Sequence, residues 1–266
     1  MPFSALPSLS PDQKQKFARF QDLLLSENRN LNLTALNDPE SVRVRHFDDS
    51  LAAAPVLAKM AGFELDVEKA VREGGWPTEI MSAETTPGGW KFRLIDVGSG
   101  AGLPGLALAI ALPWCEVISV ETIGKKARFQ EKAITELGLN NVRVISDRAE
   151  SIGHEVAHRE RYDAATGRAL AALPVLVEIL FPLVRPGGSV LAWKGPLSAT
   201  EVLTAQPACD ELGGAEVREF PYSLEMAGET LDLRIVVLEK QGPTPARYPR
   251  KPHRIRKHPL GPGRPE

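Results

Sequence analysis

The chain has 266 residues, 43% apolar and 25% charged, the balance of a soluble globule with room for one large or two small domains. No run approaches the roughly 20 apolar residues of a membrane span. The N-terminus MPFSALPSLSPDQKQ lacks a basic segment ahead of an apolar core, and two isolated cysteines, Cys115 and Cys209, make neither a disulfide framework nor a zinc site, so the expectation is a cytoplasmic protein with no membrane partner.

Ser10 ahead of Pro11 and Asp12 predicts a helix start. Phe17, Phe20, Leu23 and Leu24 then fall on one helical face. The Asn-rich stretch 28–37, NRNLNLTALN, predicts a loop. Helices are expected from Pro39 to Asp48 and from Ser50 to about Met60. Residues 62–90 are weakly patterned and predict an insertion with one short helix at Asp66 to Arg72. From Phe92 strands and helices alternate, with strands at 92–97, 117–121, 142–146, 162–166 and 188–193 and helices at 103–111, 124–137, 171–183 and 198–212. The strands are apolar, β-branched runs, as expected where both faces of a sheet are covered. Two closing strands near 216–222 and 231–239 have no helix between them and predict an antiparallel hairpin at the sheet edge. The expected organisation is a helical extension over 1–61 packed on the core, the insertion at 62–90, an α/β domain over 91–241 and a tail over 242–266.

That tail carries a charge asymmetry. Between Arg247 and His258 stand six Lys or Arg, two His and no acid, and against a net charge of −2 this leaves the rest of the chain at −8. A basic tail suits a phosphate backbone, and equally suits a solvated terminus that binds nothing specific. Pro249, Pro252 and Pro259 argue against a regular helix there.

Residues Leu94 to Gly105 read LIDVGSGAGLPG. An apolar strand ends at Asp96, and Gly98, Gly100 and Gly102 follow at alternate positions before a small apolar helix. A strand that hands over to a helix through glycines is expected to leave bare backbone N–H groups facing a ligand. Asp96 is placed to accept from an amine or hydroxyl. The spacing fits two cofactors. Gly98-x-Gly100-x-Gly102 is the pattern of S-adenosylmethionine methyltransferases, and Gly100-x-Gly102-x-x-Gly105 satisfies the dinucleotide fingerprint. Glu121, ending the next apolar run, stands where either reading wants an acid on ribose hydroxyls. A nicotinamide-dependent short-chain reductase also needs Tyr-x-x-x-Lys. Here Tyr162, Tyr222 and Tyr248 are followed four positions on by Thr166, Met226 and Pro252. Seven strands closing in an antiparallel pair, with helices on both faces, are the Rossmann-like architecture of class I S-adenosylmethionine-dependent methyltransferases.

Several separated segments carry a more specific resemblance. They are NLNLTAL at 30–36, RHFDDSL at 45–51, IDVGSGAGLPG at 95–105, ETIGKKARF at 121–129, DRAE at 147–150, GRAL at 167–170, WKG at 193–195 and YPRKP at 248–252. In this order they resemble the bacterial 16S ribosomal RNA guanine-N7 methyltransferases, also called glucose-inhibited division protein B. The resemblance spans nearly the whole chain and departs at about 62–90, which is longer than the family pattern, and after YPRKP, which is more basic.

The resemblance implies an S-adenosylmethionine-dependent RNA methyltransferase acting on a guanine N7 in a loop of 16S ribosomal RNA. The implied partner is that RNA or a small-subunit assembly, and the implied state is a monomer. It implies that Gly98, Gly100, Gly102 and Leu103 present backbone and packing to the methionine part of the cofactor, and that Glu121 holds the ribose. Ala149 and Glu150 would read the adenine edge. Arg168 would touch the cofactor carboxylate, an RNA phosphate or guanine O6. Lys194, after the fifth strand, would have a role similar to that of Arg168, and His46, Asn32, Thr34 and Asp49 would rim the guanine pocket. On the residues alone, Asn32 and Thr34 are equally a helix cap and His46 equally structural. RNA contacts are expected from Lys125, Lys126 and Arg128 and from the tail through Arg250, Lys251 and Arg254. The competing reading is a non-catalytic RNA- or ribosome-binding protein on a methyltransferase-like fold.

Overall fold

A computed structural model describes residues 9–73, 80, 92–196 and 198–261. Most of the insertion expected after residue 73 therefore lies outside the described residues.

Helix α1 (Pro11–Leu31) opens on a capping box, in which the Ser10 hydroxyl takes the Gln13 N–H and the Gln13 side chain takes the Ser10 N–H. The same Gln13 donates to the carbonyls of Ile110 and Ala111, so one residue caps its own helix and satisfies the unpaired carbonyls at another helix end. α1 takes in the first four residues of the expected loop. Asn28 is the reason: it takes the N–H groups of Leu33 and Thr34 and donates to the Thr34 carbonyl and to Asn37 Oδ1, folding the following loop onto the helix end. Asn32 is the left-handed C-cap, at φ 49°.

Helix α2 (Pro39–Val42), a π-helical stretch (Arg43–Asp48), α3 (Asp49–Leu51), α4 (Ala54–Met60) and α5 (Val67–Glu73) follow. The expected helix at 39–48 is thus widened into π turns around His46, a form concentrated at functional sites.

The sheet then builds as expected: β1 (Phe92–Val97), α6 (Gly105–Ala111), β2 (Cys115–Val120), α7 (Gly124–Glu136), β3 (Val142–Ile145), α8 (Ala149–Ile152), β4 (Tyr162–Thr166), α9 (Leu173–Leu180), β5 (Val184–Lys194), α10 (Ser198–Glu211), β6 (Ala215–Met226) and β7 (Glu229–Lys240). The strand order is β3-β2-β1-β4-β5-β7-β6. β1 to β5 pair in parallel, and β7 lies antiparallel between β5 and β6. The expected terminal hairpin forms, with its second strand as the inner one. Against β5 that inner strand places Ile235 opposite Trp193 and Arg234 opposite Lys194.

Two apolar layers cover the sheet. One merges the N-terminal helices with α6 and α7, from Phe17 and Phe47 through Trp114 to Val237. The other holds α9 and α10 together with Tyr248, Ile255 and Leu260 of the tail.

The tail corrects its sequence reading. Pro252 sits at the first position of a helix, α11 (Pro252–Lys257), where a missing N–H costs nothing. Arg159 donates to the carbonyls of Thr244, Pro245 and Tyr248 and pins the approach to α11. Arg250, expected on RNA, is spent inside the protein. Its guanidinium makes a forked pair with Glu178 of α9 at 2.7 and 2.6 Å, its backbone N–H joins the same carboxylate, and the Glu178 side chain has no exposure.

Arg250→Ala should therefore leave a buried carboxylate uncompensated and cost about 3–5 kcal/mol, read as a fall in the denaturation midpoint. Pairing it with Glu178→Leu should recover most of that loss. A single-variant loss below about 1 kcal/mol would show that the pair does not hold the tail.

Candidate active site

The carboxyl ends of β1, β2, β4 and β5 meet at the glycine loop, and two buried carboxylates shape it. Asp96 has no exposed surface, and its oxygens take the Gly105 N–H at 2.8 Å and the Thr166 hydroxyl at 3.0 Å. Burial pushes its pKa up to about 6, against the pull of those two bonds and of Arg168. Glu121, 5% exposed, takes Gly100 N–H at 2.8 Å and Ile123 N–H at 2.7 Å. Gln130 links the loop to α7 by donating to Ser99 Oγ and the Gly100 carbonyl while accepting from Ser119.

This corrects the expectation of bare donors. The N–H groups of Gly98 and Ser99 go to the Val120 carbonyl, those of Gly102 and Leu103 to the Ser99 carbonyl, and those of Gly100 and Gly105 to the two carboxylates. A pyrophosphate needs such donors free, and here it would also meet two buried acids. A ligand with an ammonium and a sulfonium suits the same surroundings. The donor set therefore separates the two cofactors that spacing left open.

Asp96 and Glu121 both brace the loop, and Thr122 lines the cavity beside Glu121. Leu103 lies in the turn before α6 rather than inside the helix. Gly102 faces Leu106, behind the loop.

Two cavities meet at Gly98. The first, about 330 Å³, is lined by Val97, Thr122, Asp147, Ala149, Glu150 and Leu170, and by Pro252, Ile255 and Arg256 of α11. The second, about 570 Å³, is lined by Thr34, Arg45, His46, Asp49, Gly100, Leu103, Arg168, Trp193 and Lys194. Leu170 stands at their junction: a Cβ on Gly98, which has φ +71°, would lie 2.7 Å from its Cδ1. Both volumes are within the range of small-molecule sites.

Asp49 lines and organises the second cavity. Its carboxylate takes Arg168 Nη1 at 2.7 Å and the Tyr222 hydroxyl at 2.6 Å, and its carbonyl takes Trp193 Nε1 at 2.7 Å. Arg168 is thereby a neutralised cation, not a free one. His46 shares a 2.7 Å hydrogen bond with Thr34 Oγ1, and burial together with the charge on Arg168 drives its pKa down to about 4. Lys194 lines the cavity but is paired with Glu201 at 2.7 Å. Asn32 is exposed and caps α1 instead of lining the cavity. Lys125, Lys126 and Arg128 stand on the first turns of α7, away from both cavities. Sequence reasoning missed Arg45, Trp193 and Leu170, although all three sit inside segments that it had singled out.

The profile of the family described as rRNA small subunit methyltransferase G matches residues 80–225. Proteins named ribosomal RNA small subunit methyltransferase G resemble the chain along most of its length. That of Deinococcus radiodurans is 40% identical over 243 residues, covering 91% of this chain and 83% of the other. That of Roseiflexus castenholzii is 40% identical over 242 residues, covering 90% and 89%. The chain belongs to the rRNA small subunit methyltransferase G family. Its cofactor is S-adenosylmethionine, and its sheet is that of a class I methyltransferase.

Gly98→Ala should strain the turn by about 1–2 kcal/mol and press Leu170 into the first cavity, weakening S-adenosylhomocysteine binding by about tenfold in calorimetry. An unchanged affinity would remove Gly98 from the site.

The pH response can be signed. Between pH 6.5 and about 4 the unfolded chain takes up a proton at His46 that the folded chain refuses, so stability falls as pH is lowered through that window. Asp96 acts oppositely: the folded carboxyl takes its proton first, and stability rises as pH falls from about 6 to 3.8. His46→Gln keeps a hydrogen-bonding group within reach of Thr34 and abolishes the first contribution. Over pH 6.5 to 4 it should lose less stability than the parent, by up to about 3 kcal/mol. Superimposable stability profiles would show that His46 is not held neutral.

Proposed function

We propose that the protein transfers the methyl group of S-adenosylmethionine to N7 of a guanine in small-subunit ribosomal RNA. The observation that carries this reading is the meeting of the two cavities at Gly98, where every loop N–H named above already has an acceptor. The relatives' printed names supply the RNA.

When bound, the cofactor supplies an electrophilic methyl carbon on sulfur. In the first cavity Ala149 and Glu150 face the adenine edge. Thr122, beside Glu121, lines this cavity and is placed to meet hydroxyls. In the second cavity the Trp193 ring, fixed through its Nε1 bond to Asp49, offers a flat wall to a purine, and exposed Arg45 stands at the rim for a phosphate. Leu170 and Leu103 keep water from the junction.

Guanine N7 carries an in-plane lone pair and needs no deprotonation, so alignment and dehydration suffice. His46, held neutral, and Arg168, held by Asp49, position the base rather than exchange protons with it.

Incubation with labelled S-adenosylmethionine should place one methyl group on a guanine N7 of small-subunit RNA, mapped by strand cleavage at N7-methylated guanines. The single-turnover rate should be flat between about pH 6.5 and 8.5, since no general base titrates. Transfer to another atom, or none to either naked RNA or assembled subunits, would overturn the assignment. A bell-shaped rate profile would demand a base in the second cavity.

A further inference from the structure

Helix α11 is the wall between two cavities of different character. Pro252, Ile255 and Arg256 face the first cavity of the active site. On the other side a cleft of about 500 Å³ is lined by His154, Arg247, Pro249, Arg250, Lys251, His253 and Arg254, with no acidic residue among them.

The cations in this cleft are not equivalent. Arg250 is locked onto Glu178, and Arg247 reaches Glu211 at 3.3 Å. His154 donates through Nε2–H to the Pro249 carbonyl. Lys251 and Arg254 are exposed, and among the described residues neither has an ion-pair partner. Two uncompensated cations converging in a cleft without acids, on a chain whose other residues carry an acidic excess, form a site for an anion.

The cleft is also tied mechanically to the cofactor cavity. Ile255 is buried in the same apolar layer as α9. Glu178, which grips Arg250, lies on α9 between Val175 and Ile179, and both of these line the first cavity. A ligand that holds α11 from its basic side therefore also bears on two walls of the cofactor site.

We propose that this cleft takes a backbone phosphate of the RNA substrate and that α11 makes RNA and cofactor bind with positive cooperativity. The inference rests on RNA being the substrate, as proposed above. Linkage requires the effect to be reciprocal: each ligand tightens the other by the same factor.

The test uses the full chain, S-adenosylhomocysteine as the cofactor probe and 16S ribosomal RNA. Calorimetry on the unaltered chain should show RNA tightening S-adenosylhomocysteine by about fivefold or more. Lys251→Gln combined with Arg254→Gln should leave S-adenosylhomocysteine affinity without RNA unchanged. The same variant should lower the slope of log affinity against log salt for RNA by about one for each phosphate that is no longer neutralised, and abolish the tightening. The charge-conserving pair Lys251→Arg with Arg254→Lys should keep both properties, which separates charge from folding.

An unchanged RNA affinity and salt slope in the Gln variant would overturn the phosphate site. An S-adenosylhomocysteine affinity indifferent to RNA in the unaltered chain would overturn the linkage. Tightening by anionic phosphatidylglycerol vesicles but not by RNA would assign the cleft to a lipid surface and overturn the proposal. Methyl transfer by the unaltered chain is read separately. Its absence fails the substrate assignment, whereas failure of the cleft leaves transfer intact.

Discussion

The carboxylate of Asp96 has no access to water, and each of its oxygens is committed, one to the Gly105 N–H and the other to the Thr166 hydroxyl. Those two bonds join the end of β1 to the start of α6 and to the end of β4, the three points between which the glycine loop is strung. Desolvation raises its pKa to about 6, so at neutral pH it still carries a charge, held at a cost in stability. Glu121 adds a second buried acid on the β2 side, and together the two take donors from Gly100, Gly105 and Ile123. The loop's N–H groups at Gly100 and Gly105 are engaged without any ligand, and the loop's surroundings are negative. That combination suits a cationic adenosyl cofactor, and a neutral residue at either position could not supply the field.

The second cavity depends on a residue that the sheet does not provide. Asp49 comes from the N-terminal helices, yet it bonds Arg168 after β4, Trp193 in β5 and Tyr222 in β6. The helical segment is therefore a wall of the site as well as a cover for one face of the sheet, and its apolar residues run without a break into the core beneath α6 and α7. The π turns from Arg43 to Asp48 set His46 against Thr34 while leaving Asp49 facing the sheet.

Sequence reading located β1, β2 and β4 because each is an apolar run with both faces covered, and a fully covered strand has little freedom in composition. The first four residues of β5, Val184-Arg185-Pro186-Gly187, escaped because a proline and a glycine at φ +76° break the pattern, and the ladder to β4 shifts register there. Glycine spacing found the loop but could not say where its N–H groups go. The partners of Gly100 and Gly105 are carboxylates 21 and 9 positions away, and a spacing rule cannot tell a brace from a ligand contact. Tail charge suggested RNA, yet Arg250 was already taken by Glu178, 72 positions away and fully buried. Local patterns report what a segment prefers, and partners distant along the chain decide what remains free.

The electrostatics of the second cavity follow from the charge balance of the proposed reaction. Methyl transfer to a purine nitrogen moves a positive charge from sulfur to the base, with no proton to remove. A protonated histidine beside that base would oppose the product, and His46 is held down at about 4 by burial and by Arg168. An unpaired arginine would oppose it as well, and Arg168 is matched by Asp49 at 2.7 Å. Tyr222, raised well above its ordinary value by burial and by Asp49, keeps its proton and leaves that carboxylate to the guanidinium. Arg168, Tyr222 and His46 are thus each compensated or neutral, and the charge on Arg45 stands at the rim. A wall of this kind can grip a neutral guanine through hydrogen bonds without penalising the cation that guanine becomes, whereas a site built around a general base would need one of these groups to titrate near neutrality.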